Sequence, residues 1–287
     1  MGLLARHILG SSYKILPFKK SRYYSHKIPI ADNEIVTSEG AQSVLKNLHL
    51  PTEAQFFPTA ISYSGQLMFN KFVWAQVIVD RLYSEHHFAA QLLGQDVTAY
   101  KISAKQLYDV LVSEYVHEFQ DHIDTEVLEI RNNTIKTTKG EIEYDNIVST
   151  IPLDALLKIM GIKHFLEAKD YHVFLVATDA FDLESAKRCY IGDLSIPFWK
   201  VNTLDRELYQ FFANGYVENA DVVFSLMTKR RFRVLADTVV KNAFPLGMPP
   251  TTIYDKLKEH NITCIGSNAR WDYFSDISTS INTILKL

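Results

Sequence analysis

The chain has 287 residues, of which 47% are hydrophobic and 22% charged, and this balance is typical of a globular protein with a sizeable core. Its formal net charge of -3 argues against a broad basic field for binding nucleic acid. Two cysteines, Cys189 and Cys264, are too few for a disulfide framework, and no run approaches the roughly 18 apolar residues of a membrane span.

The first 31 residues differ from the rest in charge, because they hold six Lys or Arg residues and no Asp or Glu. A basic, acid-free start that contains serine resembles an organelle transit peptide. The same stretch also reads as folded structure, with helical spacing of apolar residues from Leu3 to Leu9 and a short strand over Tyr13–Leu16. We favour the folded interpretation and a cytoplasmic location. An organellar location is the alternative if residues 1–31 are a transit peptide.

Hydrophobic periodicity and turn residues predict further elements as far as Gly161, which ends a helix. Asn132-Asn133 and Lys139-Gly140 are typical of tight turns between strands. The elements predicted here are, in chain order, a helix over Ala41–Leu48, strands at Phe56-Phe57 and Ala60–Tyr63, a helix near Phe72–Tyr83, a helix capped by Ser103, strands over Ile123–Ile130, Thr134–Thr138 and Ile142–Thr150, and a helix over Asp154–Met160.

The second half of the chain begins with strand-like runs and ends with alternating helices and strands. The elements predicted here are strands over Val173–Ala177, Phe198–Val201, Tyr209–Phe212 and Val222–Met227, a helix over Arg233–Asn242, a helix over Ile253–His260, a strand over Ile262–Ile265 and a helix over Asp276–Leu285. Alternation at both ends around a β-rich middle predicts an α/β nucleotide-binding lobe with an inserted α+β lobe built on an antiparallel sheet. We assign residues 1–50, 120–165 and 243–287 to the first lobe and residues 51–119 and 166–242 to the second.

The stretch from Tyr144 to Leu153 reads as a buried strand that runs into Ser-Thr-Ile-Pro. It resembles a segment of the FAD-dependent amine oxidase and UDP-galactopyranose mutase superfamily, which implies an FAD/NAD(P)-binding Rossmann-like lobe. The strand before it is similar to the family strand whose backbone pairs with adenine, and Val127 is the matching residue. The resemblance also implies that Thr150 and Pro152 lie beside the cofactor.

A second stretch near the end of the chain is similar to the closing segment of the same superfamily. Gly266, Trp271 and Tyr273 keep the family spacing, and a helix beginning near Asp276 comes next. In such proteins the start of this helix faces the flavin, where its free amides stabilise negative charge. The family arginine after the glycine is Ser267 here. Arg270, three residues further on, is the candidate to replace it.

The sequence lacks the Gly-x-Gly-x-x-Gly motif that lets backbone approach a pyrophosphate. Gly2 resembles the last glycine of that motif, and the predicted helix from Leu3 resembles the helix that the motif opens, so the resemblance implies a truncated or diverged Rossmann motif. Each charge-assisted hydrogen bond is worth about 1.5–3 kcal/mol, so losing two or three lowers affinity roughly 100-fold to many thousand-fold. We therefore expect FAD to be weakly bound or lost.

The predicted second lobe contains candidate residues for a small-molecule substrate. Lys200 is the candidate polar group near the flavin, and Trp199 and Tyr209 are candidate substrate contacts. Arg230 and Arg231 belong to a basic cluster that reads either as a solvated strand edge or as a site for a phosphate-bearing ligand. We find no pattern for a metal site, a hydrolase or a kinase.

Three functions remain open from the sequence, the third being a nucleotide-sugar-binding protein that uses the basic cluster of Arg230 and Arg231 without redox chemistry. The first is an FAD-dependent oxidoreductase-like protein that acts on an amine, a nucleotide sugar or a modified base. The second is a flavoprotein remnant without FAD that serves as a scaffold or partner subunit. The missing glycines favour the second, and the retained frame of Gly266, Trp271 and Tyr273 favours the first. The sequence predicts no oligomeric state.

Overall fold

A computed structural model describes residues 1–16, 33–36, 39–50, 53–56, 59–63, 66–68, 98–122, 125–179, 188–227, 231–272 and 277–287. The predicted helix near Phe72–Tyr83 lies outside these residues. The described helices are α1 Gly2–Leu9, α2 Glu39–Asn47, α3 Ala104–His122, α4 Leu153–Ile159, α5 Ala220–Met227, α6 Thr251–Glu259, α7 Ser267–Arg270 and α8 Ile277–Ile284. Within the described residues, no helix has the length and apolar character needed to cross a membrane.

Fifteen strands are present in the same residues, and they form four sheets. They are β1 Asn33–Val36, β2 Glu53–Phe56, β3 Thr59–Tyr63, β4 Gln66–Met68, β5 Thr98–Ser103, β6 Val127–Arg131, β7 Thr134–Thr137, β8 Gly140–Glu143, β9 Ile147–Ser149, β10 Glu167–Thr178, β11 Arg188–Ile191, β12 Phe198–Asp205, β13 Leu208–Asn214, β14 Phe232–Leu246 and β15 Ile262–Cys264.

The largest sheet has seven strands in the order β14-β10-β13-β12-β11-β3-β4, and all its pairs are antiparallel except β11 with β3. Two smaller antiparallel sheets have the orders β1-β5-β2 and β6-β7-β8, while β15 and β9 pair in parallel. The prediction of a mixed helix and sheet fold with antiparallel sheets is confirmed.

One face of the seven-stranded sheet carries an apolar cluster that includes Phe174, Phe198, Phe211 and Phe224, each at most 1% exposed, and we call it the phenylalanine cluster. Phe224 comes from α5, which lies across this face. The sequence analysis predicted a strand over Val222–Met227, and that prediction is wrong. β-branched residues favour strands only weakly, and packing of Phe224 into the phenylalanine cluster overrides that preference.

Two other predicted elements are also wrong. The predicted helix over Arg233–Asn242 is part of strand β14, which pairs with β10 over most of its length. Cross-strand pairing decided this segment, because isolated helices of ten residues have little stability of their own. The predicted strand over Tyr13–Leu16 is not a strand. The single strand predicted over Ile142–Thr150 is divided into β8 and β9.

Helix α1 belongs to the hydrophobic core. Its Leu4 packs in a cluster with Leu45 of α2, Leu107 of α3 and Ile281 of α8. This packing supports the interpretation of residues 2–9 as a helix of the fold. The same cluster contains α3, which the sequence analysis assigned to the second lobe, together with helices assigned to the first lobe. The division into two lobes therefore remains a prediction.

Polar contacts fix α1 to α3 as well. Arg6 donates hydrogen bonds from Nε and Nη2 to the two carboxylate oxygens of Glu118, and its guanidinium lies 5.2 Å from the centre of the Tyr115 ring. The Arg6 side chain is only 11% exposed. Because a bidentate pair fixes both direction and distance, this contact sets the orientation of α1 on α3.

A buried histidine joins the edge of the large sheet to the turn before α5. His172 is 2% exposed, and its Nε2 lies 2.6 Å from Asp237 Oδ2. The backbone N–H of Val217 donates to its Nδ1 at 3.2 Å. Since Nδ1 accepts, the ring proton is on Nε2 and is donated to Asp237.

We expect Arg6→Met to lower the free energy of unfolding by about 1–3 kcal/mol, because Glu118 would lose a charged partner at a partly buried contact. The matched control is Lys241→Met. Lys241 pairs with Asp170 at an exposed site, and we expect that change to cost less than about 1 kcal/mol. Urea unfolding of the two variants measures both values, and equal losses would contradict the assigned role of Arg6.

Candidate functional site

The carboxyl ends of β9 and β15 lie side by side because the two strands pair in parallel from Ile147–Ile262 to Ser149–Cys264. The N–H of Ile265 extends this ladder by donating to the carbonyl of Ser149 at 2.9 Å. Thr150 and Gly266 lie just past these ends. The fold therefore places two predicted cofactor residues at one end of a parallel pair, where ligands bind in open α/β sheets.

The start of α1 reaches the same place. A Cβ atom built on Gly2 would lie 3.8 Å from Thr150 Oγ1, and one built on Gly266 would lie 3.6 Å from Met1 Cγ. The first hydrogen bond of the helix runs from Ala5 N–H to Met1 C=O. The amides of residues 2–4 therefore have no acceptor within the helix and point out from its first turn.

The backbone conformation at position 266 favours a glycine. Its φ of 91° lies in the left-handed region, which other residues enter at a cost. Its N–H donates to Ser280 Oγ of α8 at 3.1 Å, and Ser280 is 1% exposed. Gly266 thus links the end of β15 to α7, which begins at Ser267, and to the middle of α8.

Trp271 ends α7 in a left-handed conformation and is 4% exposed. Its Nε1–H donates to the carbonyl of Leu246 at the end of β14, at 3.3 Å. The ring belongs to the same apolar cluster as Val127 and Leu156. The structure therefore places Val127 and Trp271 in one apolar cluster.

Of the other predicted cofactor residues, the structure describes Pro152 and Arg270 but not Tyr273 or Asp276. Pro152 precedes α4 as its N-cap residue, with φ at -50°. Arg270 donates from Nη1 to Thr283 Oγ1 at 3.2 Å, and Thr283 lies in the last turn of α8. Thr283 is six residues after the start of α8 at Ile277, or about 9 Å along the helix axis. Tyr273 and Asp276 lie outside the described residues.

Two groups beside Arg270 have shifted pKa values. Burial raises the pKa of the Cys264 thiol to about 12, and the positive charge of Arg270 opposes the shift only in part. Burial also raises the pKa of Tyr254 to about 12, with a smaller contribution from Cys264. The Tyr254 hydroxyl donates to the Arg270 carbonyl at 2.6 Å, so its polar end faces inward although the residue is 39% exposed. A protonated, buried thiol is a poor nucleophile.

A second group of candidate residues lies on the large sheet, on the face opposite the phenylalanine cluster. A β-bulge between Phe198 and Lys200 makes this face, because Phe198 pairs with Ala213 while Lys200 pairs with Phe212. Trp199 is the extra residue. Its ring lies 6.0 Å from the rings of both Tyr190 and Phe212, so Trp199 and Lys200 share one face although they are consecutive.

We call Tyr190, Trp199, Lys200, Asn202 and Phe212 the Lys200 face. The ammonium of Lys200 lies 4.5 Å from the centre of the Phe212 ring and 5.7 Å from that of Trp199. Both distances are within the range of cation–π attraction. Asn202, two residues further along β12, donates from Nδ2 to Oε1 of the buried Gln210 at 3.2 Å.

Two of the remaining predicted substrate residues are described, and neither is among the described contacts of this face. Tyr209 is 3% exposed and belongs to the phenylalanine cluster on the other side of the sheet. The carbonyl of the exposed Arg231 accepts a hydrogen bond from Thr178 Oγ1 at 2.9 Å. Arg230 lies outside the described residues. Sequence reasoning expected the strands that hold Lys200 and Phe212 to line one site, but it missed Tyr190 and the bulge at Trp199, because periodicity does not reveal a bulge.

No protein-family model and no curated protein matches the chain. Solved structures do match it. Cyclohexylamine oxidase from Brevibacterium oxydans IH-35A has a TM-score of 0.64 at 10% identity, covering 99% of this chain and 94% of that one. Reduced UDP-galactopyranose mutase has a TM-score of 0.60 at 10% identity, covering 88% and 80%.

A third match is aklavinone-11 hydroxylase in a ternary complex with FAD and aklavinone. Its TM-score is 0.54 at 10% identity, and the alignment covers 99% of this chain and 57% of that one. These proteins are flavoenzymes, and at such identities the likeness shows the fold alone. The chain therefore has the fold of FAD-binding flavoproteins, which confirms the coarse prediction drawn from the two sequence segments.

We expect the folded protein to lose stability in alkali. The ordinary pKa values are 9.0 for Cys264 and 10.0 for Tyr254, and both are about 12 in the folded chain. The unfolded chain therefore releases protons that the folded chain keeps, so this stability is complete below about pH 9 and is lost as the pH rises toward 12.

Urea unfolding between pH 7 and pH 11 measures this loss. We expect Cys264→Ser and Tyr254→Phe each to flatten the dependence, because neither replacement titrates in that range. The single hydrogen bond removed in Tyr254→Phe should cost about 1 kcal/mol at neutral pH. A dependence unchanged in the double variant would show that other groups cause the loss.

Proposed function

We propose that the chain is an FAD-dependent oxidoreductase-like protein. One observation carries the proposal: the start of α1 and the carboxyl ends of β9 and β15 converge at Gly2, Thr150 and Gly266. The flavoenzyme fold supports it. A location in the cytoplasm is part of the proposal, and an organellar location is the alternative.

The residues at this point suit a phosphate group. Helix amides without acceptors and the positive end of the helix dipole favour an anion. Thr150 is exposed and adds a hydroxyl beside Gly2. Residues that would hold the cofactor are Gly2, Thr150 and Gly266 at the pyrophosphate and Val127 at the adenine. Pro152, Ser267, Arg270 and Trp271 would support them.

Bound FAD would supply the redox chemistry, and the protein would bind, orient and shield it. The start of α8 would face the flavin, as the resemblance implies. A small-molecule substrate would lie against the Lys200 face, with Lys200 as the polar group closest to the reacting atoms. The sequence left an amine, a nucleotide sugar and a modified nucleobase open as substrates.

A second candidate function is a scaffold or partner subunit that has lost FAD. Ser267 favours it, because it stands where the resemblance implies an arginine that helps to bind the pyrophosphate. The two candidates differ in one measurable property, which is whether the purified chain binds FAD.

We expect the chain to bind FAD, with a change in flavin absorbance between 350 and 500 nm on titration. Thr150→Val should weaken binding roughly tenfold or more, because a hydrogen bond to a charged group is worth about 1.5–3 kcal/mol. Valine has nearly the shape of threonine, so the exposed site tolerates it.

The matched control is Thr134→Val in the meander of β6, β7 and β8, where we expect unchanged FAD affinity. A flavin absorbance spectrum that the chain leaves unchanged up to millimolar FAD would refute the oxidoreductase and favour the scaffold. Equal affinity of the Thr150→Val and wild-type chains would refute the assigned pyrophosphate position.

A further inference from the structure

Strand β14 forms one edge of the seven-stranded sheet, and β10 is its neighbour on the inner side. Along an antiparallel strand, alternate residues direct their backbone N–H and C=O groups to opposite sides, so half of these groups in β14 point away from β10. No hydrogen bond joins the outer side of Phe232–Lys241 to another of the described residues. This stretch of the edge is therefore open.

An open strand edge is a template for another strand, and proteins commonly block it with bulges, prolines or charged residues. In β14 the irregular features lie toward the ends of the strand. The register with β10 shifts at Leu235 and again after Val240, and Pro245 comes later. Between the two shifts, the residues from Ala236 to Val240 pair with β10 one by one. The middle of the open edge is therefore regular enough to accept a further strand.

Two charged side chains belong to this part of the edge and share one face of the sheet. Asp237 lies 2.6 Å from His172 of β10, and Lys241 lies 2.6 Å from Asp170, two residues earlier on β10. The side chains of Asp237 and Lys241 are nevertheless 54% and 77% exposed. A carboxylate has two oxygens and an ammonium has three donors, so each group can take a second partner beside its β10 residue.

We propose that the outer edge of β14 pairs antiparallel with β14 of a second copy of the chain, around a two-fold axis at Val239. In this register Asp237 lies opposite Lys241 of the partner subunit, and Val239 lies opposite Val239 of the partner subunit. The charge pair occurs twice, because a two-fold interface repeats each contact. Opposite charges directly across an antiparallel pair stabilise it, and like charges destabilise it. Two seven-stranded sheets would then continue into each other.

The positions of the two charges select both the occupant and the register. Read in opposite directions, the segment from Asp237 to Lys241 matches itself, because each charge lies two residues from Val239. A shift of the antiparallel register by two residues to either side would place Asp237 or Lys241 opposite Val239, without a charge partner. A parallel copy in register would set like charges side by side. An antiparallel second copy is therefore the strand that fits this edge best.

The first test is the oligomeric state of the full chain. Sedimentation velocity over roughly 1 to 100 μM chain should show a monomer–dimer equilibrium with a micromolar Kd. Lys241→Asp sets like charges opposite each other at both pairs and should raise that Kd roughly tenfold or more. The matched control is Lys158→Asp, which changes an exposed lysine in the last turn of α4 and should leave the Kd unchanged.

Exchange of the two charges tests the register. Asp237→Lys alone and Lys241→Asp alone each set like charges opposite each other, so we expect both variants to be mainly monomeric where the wild-type chain is dimeric. An equal mixture of the two should form a heterodimer with an affinity close to that of the wild type, because each lysine then faces an aspartate. This recovery would also show that Asp237→Lys folds without the contact to His172.

A cysteine on the axis gives a measurement that does not depend on charge. Residues directly opposite in an antiparallel pair have Cα atoms roughly 4.5–5.5 Å apart, which suits a disulfide. Val239→Cys should therefore form a disulfide-linked dimer under mild oxidation. Thr238→Cys is the control, because two copies of residue 238 would lie on a diagonal of roughly 7–8 Å, which is too far. The wild-type chain, with Cys189 buried and Cys264 partly buried, provides the blank.

Several results would each overturn the proposal: a monomer at every concentration, an assembly larger than a dimer, an unchanged Kd in Lys241→Asp, or no heterodimer from two folded variants. Crosslinking of Thr238→Cys in preference to Val239→Cys would overturn it as well. FAD takes no part in this contact, so the outcome is independent of the proposed function. The stability comparison of Arg6→Met with Lys241→Met refers to the monomer and is measured below this Kd.

Discussion

The parallel pairing of β9 with β15 is the constraint on which the candidate site depends. The two strands are distant in sequence, and three consecutive residue pairs hold them in register. Parallel register sends both chains out of the sheet at the same end, so Thr150 and Gly266 become neighbours. Helix α1 packs on that end, because Leu4 is buried against other helices and Ala5 is buried in a cluster with Ile265, just past β15, and Ile284 of α8.

A few directed contacts connect this end to the rest of the molecule. Trp271 joins α7 to the last residue of β14, and β14 extends as the edge strand of the seven-stranded sheet. Its partner β10 begins in the apolar cluster of Trp271, through Leu166 and Ala168, and continues into the phenylalanine cluster. Two continuous strands therefore join the two regions.

The two candidate regions have different chemistry. At the ends of β9 and β15 the polar groups are backbone amides and hydroxyls, which suit a phosphate. On the Lys200 face they are an ammonium and an amide beside aromatic rings. The proposed function assigns the first region to the tether of a flavin cofactor and the second to the molecule that meets its ring.

The sequence by itself determined the helices at both ends of the chain, the tight turns at Asn133 and Gly140, and the strands over Val173–Ala177 and Tyr209–Phe212. In these segments hydrophobic periodicity, caps and turn residues act locally and agree with one another. It also predicted that Gly2, Thr150 and Gly266 belong to one site, through their likeness to a known family. A residue whose backbone conformation favours glycine, such as Gly266, can be recognised from the sequence in this way.

Only the tertiary structure decided the helix at Phe224, the long strand β14 and the shared face of Trp199 and Lys200. The apolar runs at Phe224 and in β14 satisfy either a helix or a strand, and the neighbour that buries them makes the choice. The bulge at Trp199 arises from the pairing of β12 with β13, so the sequence of β12 alone does not show to which face the Trp199 side chain points. The position of Arg270 beside Thr283 was likewise beyond sequence reasoning, because a long side chain takes its direction from the helix packed against it.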